Sequence, residues 1–195
     1  MNSGLLFLWI AWILFIIVYF FMDKAKKRTF LITWILLIIC SSKIYVTVSN
    51  INFSFAFFIL FFGCFLIYFD VVKQVFHLAI GLTVMVAYAS ILIWEQEAPI
   101  WLLFPRMIFI PCIIVGITYF LCTEHTNRLA VVVIGLCGGE LLYALILYSY
   151  NLPYIIGAMY FFDTLCVTVL FTTFLNFWMQ MKRYLLAKLR GHYPF

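Results

Sequence analysis

Long apolar runs separated by short polar ones dominate the chain, and neither strict alternation nor a one-sided helical stripe interrupts them for long. A bilayer's hydrocarbon core is about 30 Å thick and a helix rises about 1.5 Å per residue, so roughly 20 mainly apolar residues are needed to span it. Seven segments meet that length: 4–22, 29–48, 51–69, 76–94, 100–122, 129–150 and 154–178. The edges blur around Asp70 to Phe76, which makes six spans the main rival count. Transmembrane strands would read as alternating segments of about 10 residues, which these runs are not. The pattern predicts an all-α, polytopic transmembrane helix bundle over residues 1–180, followed by a basic tail at 181–195.

The charges set a direction. Lys24, Lys26, Lys27 and Arg28 follow the first run, Lys73 the third, Arg128 opens the sixth, and Lys182, Arg183, Lys188 and Arg190 lie in the tail. Those are ten of the twelve basic residues, all on one side of a seven-span chain, and basic loops face the cytoplasm. The N-terminus is therefore expected outside and the C-terminus inside. The start "MNSG" carries no basic region and no small-x-small cleavage site follows, so the first run reads as a retained anchor in a multi-pass cell-membrane protein. Trp9, Trp12, Trp94 and Trp101 fall towards the outer ends, and Trp34 and Trp178 towards the inner ones, as interfacial belts would.

Composition agrees and removes some classes of function. Of 195 residues, 68% are hydrophobic and 10% charged, against about 45–50% and about 25% in soluble domains. The net charge of +5 reads as topology and not as nucleic-acid binding. Six cysteines are scattered without a C-x-x-C pair and read as small packing residues. His77, His125 and His192 lack metal-ligand spacing, and no hydrolase or phosphate-binding motif occurs. The reading is of a protein with no cofactor, no metal site and no catalytic residues.

Four ionisable residues fall inside the runs. "FPRMIFIPC" (104–112) sets Arg106 between two prolines. Counted from the proposed outer ends at about 1.5 Å per residue, Arg106 lies about 9 Å deep, Glu140 about 15 Å, Asp163 about 14 Å and Lys43 about 8 Å. A lone charge at mid-bilayer costs about 2.5–3.5 kcal/mol on insertion scales, so a shared charged layer is expected, with Arg106 paired to Glu140, Asp163 or both. Pro105 and Pro111 should kink the fifth helix around the arginine. The layer reads either as a structural salt bridge or as a functional site.

Two further patterns converge there. In "GLCGGELLYA" (135–144), Gly135 and Gly139 stand at small-xxx-small spacing and predict close helix packing beside Glu140. Thr164, Thr168, Thr172 and Asn176 recur every four residues from Asp163 on, a polar ridge suited to a hydrogen-bonded seam with a neighbouring helix or to an ion path. The tail "WMQMKRYLLAKLRGHYPF" is basic and amphipathic, a match for anionic lipid.

The opening stretch "GLLFLWIAWILFIIVYFFMDKAKKRTF", with its Trp9/Trp12 pair, "FMDK" exit and basic turn, resembles the YphA-type family, small integral membrane proteins of endospore-forming Bacillus-like bacteria. The resemblance implies a role in sporulation or spore-envelope assembly and carries over no catalytic residues. Two functions stand open: a non-enzymatic protein that supports other membrane or envelope proteins, and a small-molecule or ion transporter using the charged layer.

Overall fold

A computed structural model describes residues 4–21, 26–48, 51–71, 75–97, 106–122 and 124–190. Among them the chain forms seven helices: α1 (Leu5–Phe21), α2 (Lys26–Ser41), α3 (Phe55–Val71), α4 (Val75–Glu97), α5 (Arg106–Leu121), α6 (His125–Ser149) and α7 (Met159–Arg190). Each lies within or overlaps one of the seven apolar runs. Three helices are long and apolar enough to cross a membrane, at Phe76–Glu97, His125–Ser149 and Met159–Leu186. The other four are shorter apolar helices.

The second and third runs depart from the expectation. α2 stops at Ser41, where Ser41 and Ser42 turn their hydroxyls back onto the carbonyls of Leu37 and Ile39. Such local side-chain bonds compete with helix continuation. The β-branched "YVTV" that follows becomes β1 (Tyr45–Val48), antiparallel to β2 (Ile51–Ser54). β2 in turn pairs in parallel with the short β3 (Ile155–Ile156). A three-stranded sheet therefore caps one end of the bundle, and that end is called the hairpin end below.

The core is built around α6. Its buried positions include Val131, Val132, Gly135, Leu136, Gly139, Glu140, Tyr143, Ala144 and Leu147, which recur at three- and four-residue steps. This stripe packs most extensively on α4 through Ile80, Val84, Tyr88 and Leu92. A Cβ on Gly139 would come 2.8 Å from the Met85 carbonyl oxygen and 2.8 Å from the Tyr88 ring. One on Gly135 would meet the Val84 side chain at 2.5 Å. The helices approach closely because both positions lack side chains. Gly81, on the facing helix, would meet nothing within 4 Å. Gly139→Leu is therefore expected to cost at least the ~1–3 kcal/mol typical of overpacking, while Gly81→Leu is tolerated. Thermal unfolding in detergent measures both, and equal midpoints for the two variants would contradict the packing.

Trp34 joins two helices. It is half-buried, donates its indole N–H to the Ile59 carbonyl at 3.1 Å, and wedges its ring against Gly63. It is a packing residue between α2 and α3. Trp9, Trp12, Trp94 and Trp178 are exposed, and Trp101 lies outside the described residues.

Arg128 is buried at the opposite end. Its guanidinium donates to the Cys122 carbonyl just past α5 and sits 4.8 Å from the centroid of the Tyr119 ring. One basic residue counted towards loop polarity thus also holds a helix terminus.

Candidate functional site

The hairpin end gathers three of the four charged residues expected to form one layer, but it gives each a different partner. α6 ends in a left-handed turn: Asn151 has φ of 55°, its N–H donates to the Tyr148 carbonyl, and the Leu152 N–H donates to Leu147. This paired arrangement satisfies the last carbonyls of the helix and reverses the chain. Residues 152–158 then run back over the bundle. They bring Tyr154 and Gly157 to a carboxylate lying nine residues, about 14 Å, before the end of α6.

That carboxylate is Glu140, with no exposed surface. It accepts hydrogen bonds from the Tyr154 hydroxyl at 2.7 Å, the Tyr88 hydroxyl at 3.1 Å and the Gly157 N–H at 3.3 Å. Gly157 has φ of +69°, and a Cβ there would strike Phe57 at 2.5 Å, so the approach depends on glycine. Tyr143 braces Tyr154 edge to face at 5.0 Å. The buried charge is met by three donors from α4 and the returning loop, the condition under which a buried acceptor is tolerated.

Asp163, 1% exposed, has a different task. α7 begins at Met159, so this residue lies only four positions, about 6 Å, into its helix. Its two oxygens accept the N–H of Gly4 at 2.7 Å and of Phe7 at 2.8 Å. Gly4 is the N-cap of α1, since its carbonyl accepts from Leu8. Helix N-termini commonly satisfy the N-cap and N3 donors with side chains at those same two positions. Glycine and phenylalanine cannot do so, and an aspartate from the far end of the chain supplies both acceptors.

Arg106 is the first residue of α5, with its Nε 3.3 Å from Oε2 of Glu95 at the end of α4. The expected pairing with Glu140 or Asp163 is thereby corrected. The contact is an ion pair and not an aligned hydrogen bond, because that Nε lacks a hydrogen-bond partner among the described residues. Pro111 is buried inside α5, while Pro105 lies outside the described residues. Lys43 is exposed in the turn after α2 and belongs to no buried layer.

The polar ridge of α7 is likewise redirected. Thr164, Thr168 and Thr172 are buried, and each hydroxyl donates to the carbonyl four residues earlier in α7 itself, at 2.8, 2.7 and 2.7 Å. In this arrangement their protons point along α7 itself. Asn176 is half-buried.

Beside these buried groups lies a cavity of about 240 Å³, lined by Leu92, Glu95, Gln96, Arg106, Tyr143, Tyr154 and Tyr160 among others. Of the residues at this end, Tyr88, Glu95, Tyr154 and Gly157 escaped the sequence reading. Tyrosines in apolar runs look like packing residues, and nothing local marks a loop that folds back. Among the described residues no cluster of metal-ligating side chains occurs.

Comparison with known proteins accords with this helical architecture. The chain is 25% identical over 145 residues to the uncharacterised protein YphA of Bacillus subtilis (strain 168), covering 71% of this chain and 70% of that protein. No solved structure matches. The profile of the YphA-like integral membrane proteins matches residues 3–192, nearly the whole length, and the chain belongs to that family.

Proposed function

We propose that the chain is a non-enzymatic, multi-pass protein of the cell membrane that supports the assembly of other envelope proteins. All seven helices cross the bilayer, with the hairpin end outside and the C-terminus inside. What supports the assembly role is a single observation: both buried carboxylates are occupied by the chain's own donors, three for Glu140 and two for Asp163. A carrier that moves ions or protons keeps its charged groups available to a water path. Here they hold a loop and a helix terminus. The link to sporulation rests on the family resemblance, and the basic end of α7 is the part suited to anionic lipid.

The orientation predicts that a cysteine introduced at position 2 reacts with an impermeant maleimide in intact cells and that one at position 195 does not. Labelling of both from outside would remove the seven-span topology. For the function, purified protein reconstituted into liposomes is expected to give proton, sodium and potassium fluxes equal to those of empty vesicles. Crosslinking in cells of an endospore-forming host is expected to capture one membrane or envelope protein reproducibly. A flux above background that disappears in Asp163→Asn would replace this reading with transport.

A further inference from the structure

The cavity at the hairpin end contains chemistry that the fold does not use. Arg106 and Glu95 meet through one guanidinium nitrogen and one carboxylate oxygen. Among the described residues, that contact engages neither terminal nitrogen of the arginine and only one of the two glutamate oxygens. Their side chains are 33% and 24% exposed, accessible to a solute yet half shielded from water. Tyr143, Tyr154 and Tyr160 contribute to the same wall, and Gln96 adds an amide. A partly shielded pair of this kind stabilises a protein little.

We propose that this cavity binds a small zwitterion, with its anionic group on the Arg106 guanidinium and its primary ammonium between Glu95 and the tyrosine faces. An arginine fork presents parallel N–H donors to a phosphate or carboxylate. A carboxylate beside aromatic faces attracts an ammonium by charge and by the ring quadrupole. A purely anionic ligand would meet Glu95, and a purely cationic one would meet Arg106, so neither fits both walls. The volume is below the about 300–1,000 Å³ of sites for drug-sized molecules, which limits the occupant to a solute or headgroup of a few heavy atoms across. An ethanolamine-phosphate lipid headgroup and a free amino acid share this chemistry.

Native mass spectrometry of the full chain, released from detergent after incubation with defined probes, tests the assignment. Phosphatidylethanolamine and phosphatidylglycerol of equal chain length are compared, with glycine and glycerophosphoethanolamine as soluble probes. Selective retention of phosphatidylethanolamine, reduced at least tenfold by Arg106→Gln and by Glu95→Gln, is the expected result if the source is a lipid. Retention of a soluble probe with the same sensitivity assigns the site to a free solute. Tyr160→Ala keeps the experiment decisive should an ion-pair variant fail to fold, because Tyr160 is exposed and its removal leaves both charges in place. It is expected to weaken binding two- to fivefold. Equal retention of phosphatidylglycerol, retention unaffected by the variants, or no retention of any probe overturns the proposal.

Discussion

Replacing Asp163 with alanine is expected to release α1 from the bundle. The substitution strips the acceptor from two buried donors, the N–H groups of Gly4 and Phe7. Each orphaned buried donor costs about 1–3 kcal/mol, so the combined loss is about 2–6 kcal/mol. The residues at the N-cap and N3 positions of α1, Gly4 and Phe7, have no side-chain acceptor to take its place. Asp163→Asn retains one acceptor oxygen and should fall between wild type and alanine. Limited proteolysis of the N-terminal segment, together with the unfolding midpoint in detergent, reads the effect. Wild-type protection of α1 in Asp163→Ala would show that apolar packing, including the Phe7–Phe162 ring contact at 4.9 Å, holds the helix unaided.

At Glu140 the discriminating comparison is between leucine and glutamine. Leucine is close in bulk but leaves the Tyr88 hydroxyl, the Tyr154 hydroxyl and the Gly157 N–H without their acceptor. The expected loss is several kcal/mol, at about 1–3 per unsatisfied group, and enough to prevent recovery of folded protein. Glutamine can accept from Tyr154 and Gly157 through its oxygen and donate to Tyr88 through its amide. Its cost should stay near 1 kcal/mol, the worth of one ordinary hydrogen bond. Yield and thermal midpoint after identical purification separate the two. Equal damage by both would mean that the negative charge itself, and not the acceptor geometry, is what the site requires.

Seven helices were legible because each needs only a long apolar run, and such runs survive any arrangement of partners. Helix limits were less legible. The Ser41–Ser42 stop and the strand at Tyr45–Val48 interrupt what hydropathy alone reads as one span. Glu140 and Asp163 stood out because isolated carboxylates in apolar sequence demand compensation. Their partners did not, since they are backbone N–H groups and tyrosine hydroxyls contributed by distant segments. A search for opposite charges favoured Arg106, whereas the structure compensates both carboxylates with neutral donors. Charge counting cannot see a neutral donor, and every residue except proline carries one in its backbone.

The link between Asp163 and the start of α1 joins residues 156 and 159 positions apart. A ribosome delivers α1 long before α7, so throughout synthesis the N–H groups of Gly4 and Phe7 lack the acceptor that the folded chain gives them. Only insertion of the final helix relieves them. A chain truncated before α7 would carry that defect permanently, presenting membrane proteases and chaperones with a ready mark of incomplete biogenesis.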